Sequence, residues 1–361
     1  MRWIAGIAFG LILLLVLGSF LPLVPADAWW VRYWDYPRVQ IGYLLIVLLA
    51  IHLIASKRDA PRILAAVLVL AALAAHAVKL LPFTTVAPPV ARVVGECAPG
   101  NDLRLLSFNV QRSNEVGEAL IRLVAETEPD LILLMETDED TGPALAPLRA
   151  DFPYMVQHVP EDARYYGMHL LSRLPLVSPE VTLGFGPETP SIVTGVRLPS
   201  GELVRFQGLH PRPPVLFERG TTLRDATLYR AALDAASSPR PSILAGDFNA
   251  VPWEAATTRV MRLGGLLEPR VGRGIFVTYG AESLWRGWPL DYVVYQDGFG
   301  LLEYRLLPNI GSDHRPVLTQ LCLDRDLADV QAAPAAQPED IRAAEDTFAR
   351  AARRQAEEAG P

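Results

Sequence analysis

The chain has 361 residues, 50% of them hydrophobic but only 8% aromatic, and a mean hydropathy of +0.21, high for a wholly soluble protein. Residues 1–92 hold 8 Lys+Arg against 3 Asp+Glu, whereas residues 93–361 hold 25 against 37. Lys57 and Lys79 are the only lysines. An acidic, lysine-free part speaks against tight non-specific duplex binding, which comes from neutralising phosphates. Two cysteines exclude a disulfide-rich scaffold and a four-cysteine zinc site.

Trp3 to Ala26 carries no charge, Val39 to Ser56 is a second uncharged run, and Ile63 to Val78 a third, extended to Leu81 if Lys79 snorkels. We read residues 1–81 as a bundle of about three transmembrane helices, with spans near 3–21, 39–56 and 63–81. Trp29, Trp30, Tyr33, Trp34 and Tyr36 form an interfacial aromatic belt. His52 and His76 fall inside spans two and three and read as neutral imidazoles packed between helices. Ala26-Asp27-Ala28 has the A-x-A pattern of a signal-peptidase site, but the apolar run is long for a signal peptide and favours an uncleaved helix. Arg2, Lys57, Arg58 and Arg62 mark the cytoplasmic side, against Arg32 and Arg38 on the other. Residue 82 onward then lies outside the cytoplasm.

Pro82, Pro88 and Pro89 stiffen a linker over 82–102. Strands are predicted over Leu103–Val110, Leu131–Met135, His169–Ser172, Ser191–Arg197, Leu203–Leu209, Ser242–Ala245, Asp291–Tyr295 and Val317–Cys322. Helices are predicted over Glu115–Glu126, with Asn114 as cap, and Thr221–Ala236. Many hairpins with few helices predict an α/β fold: a two-sheet β-sandwich flanked by helices. From Leu323 the chain becomes a polar tail, residues 324–361, partly helical or disordered. Pro338–Ala359 has a helix-start signal but little to bury.

Polar residues recur where strands end. Asn109 closes LLSFN, Glu136 closes LILLME, His210 closes VRFQGLH, and Asp247 and Asn249 close SILAGDFN. Asp291 opens DYVVY, and Ser312-Asp313-His314 precede the last strand. Taken singly, each is a turn former or cap; together they place carboxylates, carboxamides and imidazoles on one rim. Hard oxygen donors in Glu136, Asp313 and Asn109 suit Mg²⁺ or Mn²⁺. Carboxylate–imidazole pairs suit activation of water.

LLSFN, LLME, GLH, GDFN, LDYVV and GSDHRP, in this order, resemble the endonuclease/exonuclease/phosphatase superfamily, which includes deoxyribonuclease I, AP endonucleases, sphingomyelinases and inositol-polyphosphate 5-phosphatases. The resemblance covers residues 103–323 and implies a deoxyribonuclease I-like catalytic domain. It implies Glu136 as principal ligand of Mg²⁺ or Mn²⁺, with Asn109 and Asp313 close to the ion. Asp247 would orient and deprotonate water; Asn249 and His210 would hydrogen-bond phosphate oxygens. His314, oriented by Asp291, would stabilise the transition state; in some members its counterpart is described as the base. GMHLLSRLP at 167–175 matches the family's G-x-x-x-x-SR-x-P strand, aligning Ser172 and Arg173. His169 inside it reads as a packing variation. HPRPP at 210–214 resembles bacterial membrane-tethered members, where Arg212 would reach a phosphate or stay solvated.

These readings together imply a membrane-embedded hydrolase of phosphate esters in a bacterial inner membrane, with its catalytic domain extracytoplasmic. The substrate is left open between nucleic acid, phospholipid and small phosphodiester, and a non-catalytic membrane-anchored binding protein is the alternative. If Asn109 and His314 share a site, the first and last strands run away from it side by side, with Cys97 on the approach to the first and Cys322 at the end of the last. A disulfide between them is expected.

Overall fold

A computed structural model describes residues 2–57, 60–112, 117–161, 167–186, 189–214, 220–280, 282–283 and 285–359. Arg58, Asn114 and Glu115, which bear on the topology and capping expectations, lie outside the described residues. The chain divides into two compact units, residues 1–87 with 214–221, and residues 88–213 with 222–361.

The first unit contains three helices, α1 (Arg2–Phe20), α2 (Arg38–Ala55) and α3 (Ala60–Leu80). They belong to three stretches, Trp3–Leu23, Arg38–Ala55 and Ala60–Phe83, long and apolar enough to cross a membrane. Ile12, Val16, Ile41, Leu45, Ala65, Val69 and Ala72 pack between them. Arg38 is paired with Asp35 at 2.7 Å, both buried, as buried charges require. Arg38 can only donate, so His76 Nδ1 accepts at 3.4 Å, and the His76 Nε2–H donates to Ser19 Oγ at 2.9 Å. His52 Nδ1 meets the Ala5 carbonyl at 2.9 Å. Both histidines therefore sit between helices.

In the second unit two six-stranded sheets face each other. The first has the order β11 (Phe299–Leu306), β12 (Val317–Leu323), β1 (Asp102–Asn109), β2 (Leu131–Thr137), β4 (Gly167–Ser172), β3 (Tyr154–His158). The second has the order β5 (Leu176–Leu183), β6 (Pro190–Arg197), β7 (Leu203–Leu209), β8 (Ser242–Asp247), β10 (Asp291–Gln296), β9 (Leu266–Leu267). This is the expected sandwich.

The apolar runs have a simple cause: the inner strands are covered on both faces. Leu131, Leu133 and Met135 point between the sheets, where they meet Phe206, Ile243, Ala245 and Val293. Ile132 and Leu134, offset by one, point to the other side and pack with Leu120, Leu123 and Val124 of α4 (Gly117–Thr127). On the outer face of the second sheet, Leu244, Tyr292 and Val294 pack under α5 (Thr222–Ala236) and α6 (Ala255–Gly264).

The linker from Pro88 and the whole tail belong to the second unit. The linker is fixed to the sandwich from Pro88 onward: Arg273 donates to the Ala91 carbonyl at 2.6 Å, and Val94 N–H donates to the Leu301 carbonyl at 3.0 Å. The tail forms α7 (Pro338–Ala359), which packs on the domain. Its apolar face is narrow, with Ala344 and Ala351 buried. Phe348 stacks on Phe185 at 5.8 Å and lies under Arg230 at 4.5 Å. Asp340 adds bonds from Arg262 of 2.6 and 2.7 Å.

Cys97 and Cys322 are joined by a disulfide, with Cα atoms 5.6 Å apart. Cys322 lies opposite Asp102, the first residue of β1 and the end of that strand remote from Asn109.

Candidate active site

Strand direction assembles the site. β1 runs parallel to β2, and β7 parallel to β8, so Asn109, Glu136, His210 and Asp247 all emerge at carboxyl ends. The antiparallel strands β10 and β12 start from that rim: Asp291 lies opposite Asp247 in the β8–β10 register, and His314 comes just before β12.

Local backbone geometry then aims each group. Gly246 has φ +136°, and a Cβ there would lie 1.9 Å from the Leu209 carbonyl oxygen. Only glycine permits this approach of β8 to β7. Glu136 occupies a bulge, where the β2–β4 register skips between Met135 and Thr137, and has φ 56°. The bulge turns its carboxylate to the rim. Asn249 has φ 50°, a conformation asparagine tolerates better than most residues. Its N–H donates to Asp247 Oδ1 at 2.8 Å, and its amide donates to the Pro211 carbonyl at 3.1 Å.

Donor atoms of Glu136, His210 and Asp247 lie within 4.8 Å of one another, as do those of Asp247, Asp291 and His314. Asp247 belongs to both groups. Asn109 Nδ2 donates to Glu136 Oε1 at 3.0 Å and to Asp247 Oδ2 at 3.1 Å. Its oxygen accepts from the Gln111 N–H at 3.0 Å. Asn109 therefore holds the carboxylates together through its nitrogen, where a direct ligand would have to present its oxygen. Asp313 lies beside the centre rather than inside either group. Its N–H donates to Gln111 Oε1 at 3.1 Å, and its carbonyl accepts from Gly280 N–H at 2.8 Å.

Electrostatics separate the roles further. Burial opposes charge on His314, but Asp291 at 2.7 Å, with Asp247 and Asp313, prevails and pushes the imidazole up to about 10. Burial raises Asp247 to about 7, with Asp291 and Glu136 adding to the shift and His314 and the Asn249 N–H opposing it. Burial also raises Asp313, and it lowers His210 despite nearby Glu136. A divalent cation fits this donor set: Glu136 and Asp247 are hard oxygen donors converging where charge is already costly, neutral His210 adds a nitrogen, and Asp313 stands beside them.

Ser312 of the GSDHRP motif and residues between the motifs complete the site. Tyr279 meets the His314 ring edge-on at 5.0 Å and stacks on Trp288 at 5.7 Å. Ser312 Oγ accepts from His314 N–H at 3.0 Å and donates to the Asn109 carbonyl at 2.8 Å. Arg270, fully buried, is bonded to Glu268 at 2.7 Å and donates to the carbonyls of Pro289 and Asp291 at 3.1 and 3.2 Å. Gln111, two residues beyond Asn109, was open to detection by its position; Tyr279 and Arg270 lie in an irregular stretch without a strand signal. Ser172 and Arg173 serve the fold: Ser172 Oγ bonds the Leu174 carbonyl at 2.7 Å and Arg173 the Pro129 carbonyl at 3.0 Å.

No curated protein matches the chain. Among solved structures, zebrafish TDP2 complexed with a single-strand DNA product aligns at a TM-score of 0.51 and 14% identity, covering 61% of this chain and 98% of that one. The human nocturnin catalytic domain with a bound sulfate anion aligns at 0.51 and 18% identity, covering 65% and 98%. An endonuclease/exonuclease/phosphatase from Beutenbergia cavernae aligns at 0.50 and 18% identity, covering 62% and 72%. At such identities the likeness establishes the fold. The sequence signature of the Endonuclease/Exonuclease/phosphatase family spans residues 106–314, more than half of the chain, and the chain belongs to that family.

Proposed function

We propose that the protein is a membrane-tethered, divalent-metal-dependent hydrolase of phosphate esters. The observation that carries this reading is the pair of donor groups sharing Asp247, one leading to Glu136 and the other to His314 and Asp291. A metal ion held by Glu136, with Asp313 near it, would supply positive charge to the phosphate oxygens. Asp247 accepts the proton of the attacking water. His314, held cationic by Asp291, donates to a non-bridging phosphate oxygen and stabilises the charge that builds there. Asn249 and His210 lie on the same rim and complete the phosphate contacts.

Family members are generally hydrolases of phosphate esters, which supports the reaction class. TDP2 is described with a DNA product and nocturnin with sulfate, an anion shaped like phosphate. The substrate class here spans nucleic acid, phospholipid and small phosphodiesters. The acidic balance and absence of lysine after residue 79 weigh against tight duplex binding. We read three spans that start inside as leaving residues 82–361 outside the cytoplasm of a bacterial inner membrane, with the basic residues near the first span and between the second and third as support. The Cys97–Cys322 disulfide supports an oxidising compartment.

Purified full-length protein should be assayed with plasmid, single-stranded DNA, RNA, sphingomyelin, phosphoinositides and bis-p-nitrophenyl phosphate, in Mg²⁺ or Mn²⁺. Asp247→Asn and His314→Ala should each lower turnover by about 10²–10⁴-fold, and Glu136→Ala should raise the metal concentration required. No turnover across the panel would leave a non-catalytic binding protein. Fusions at Pro361 test the topology: phosphatase activity is expected, and fluorescence without it would reverse the orientation.

A further inference from the structure

Glu136 sits where regular strand geometry is interrupted, and something must hold the residues after it. The β2–β4 pairing resumes at Thr137, opposite Gly167. A Cβ at Gly167 would lie 2.7 Å from both the carbonyl oxygen and the Oγ1 of Thr137, so glycine there lets β4 close upon the bulge. Two residues along β4, and thus on the same face, His169 meets Thr137 Oγ1 through its Nδ1 at 2.9 Å. The next residue, Asp138, is pinned by its N–H donating to Thr141 Oγ1 at 3.0 Å.

His169 is fully buried, and its Nε2 has no hydrogen-bond partner among the described residues. On that face it lies between the apolar Leu134 of β2 and Leu171 of β4, with Gln157 opposite it on β3. Leucine at 169 would be buried without leaving an unsatisfied ring nitrogen. The contribution of the imidazole is therefore its bond to Thr137. Burial lowers its pKa to about 4, against a small opposing pull from Asp138, so it is a neutral partner.

We infer that His169, through Thr137, is a positioning residue that locks the Glu136 bulge and sets the affinity of the site for its divalent cation. The inference rests on Glu136 being a metal ligand, as proposed above. Groups that orient a ligand without touching the metal change affinity by about 10–100-fold.

The test is direct Mn²⁺ binding to the full-length protein in detergent, followed by calorimetry and by the electron paramagnetic resonance signal of free Mn²⁺. His169→Leu and Thr137→Val should each weaken binding by about tenfold, with near-ultraviolet circular dichroism unchanged. The double variant should be no weaker than either single one, because both remove the same bond. His169→Asn, whose amide takes the place of Nδ1, should restore most of the affinity. If His169→Leu fails to fold, Thr137→Val decides alone. Unchanged affinity in a folded His169→Leu or Thr137→Val protein, or additive losses in the double variant, would overturn the inference. A wild-type protein that binds no Mn²⁺, or a Glu136→Ala protein that binds it equally well, would instead overturn the ligand role of Glu136.

Discussion

Asp291 Oδ2 lies 2.7 Å from His314 Nδ1, although Asp291 begins a strand of the second sheet and His314 precedes a strand of the first. The pair fixes the imidazole where the two sheets converge and holds it cationic far above its ordinary range. Asp291→Asn removes the attraction, so the imidazolium should be lost at lower pH. We expect the variant's activity to fall as pH rises through neutrality, while wild type keeps its rate to higher pH. A pH–rate profile of both proteins checks this; coincident alkaline limbs would refute the role of the pair.

Metal binding and protonation should compete at Asp247. Its folded pKa, about 7 without metal, lies above the unfolded value near 3.8, so ionising it destabilises the metal-free fold as pH rises from about 4 to 7. A divalent ion reverses that cost and must displace the proton at low pH. The rise in Tm on adding Mn²⁺ should therefore be larger at pH 8 than at pH 5.5. Differential scanning fluorimetry at the two pH values measures it, and an equal or smaller rise at pH 8 would count against Asp247 facing the ion.

The strands that the sequence pattern missed share one position in the fold. β3, β5, β9 and β11 are the four sheet edges. The eight strands read from apolar runs are all interior. An interior strand buried on both faces must be apolar throughout, which is why LILLM stands out. At the edges the reasons differ: β3 exposes Tyr154, β5 carries Ser178, Pro179 and Glu180 with Ser178 at φ 51°, β11 is interrupted by Glu303 and Arg305, and β9, though buried, is only two residues long. None of them presents a long apolar run. The same logic explains the site. Asn109, Glu136, His210, Asp247 and Asp291 were legible because each abuts an interior strand. Tyr279 and Arg270 come from an irregular segment whose position depends on tertiary packing.

Asp340 should make the docking of α7 acid-sensitive. Bonds from Arg262, and further contacts from Gln337 and Arg259, hold its carboxyl below the ordinary range. A depressed folded pKa gives stability that is present above the unfolded value, near pH 4, and lost as pH falls through the folded value. Asp340→Asn should cost about 1–3 kcal/mol near neutral pH, with the difference from wild type narrowing below pH 4. Urea unfolding across that range tests it; a pH-independent difference would exclude the ionic contribution.

The disulfide should contribute chiefly through the unfolded chain. Its partners are separated by 225 residues, and closing a loop of that size corresponds to about 5 kcal/mol in the chain-entropy account. Cys97→Ser/Cys322→Ser should unfold at markedly lower temperature or denaturant concentration. Thiol labelling of denatured, unreduced wild type should find no free cysteine; two labelled thiols per chain would show that the bridge does not form in the cell.

Gln111, Glu136 and Asn249 all sit at φ values of 50–56°, which side-chain-bearing residues rarely adopt and which cost about 1–3 kcal/mol at Gln111 and Glu136 and less at Asn249. Glycine at any of them would relieve that tension while removing a group from the rim. Selection for thermal resistance alone would thus drift toward glycine here and erase the chemistry. Any library built to harden this protein should hold these three positions constant and look for its gains among the sheet edges and α7.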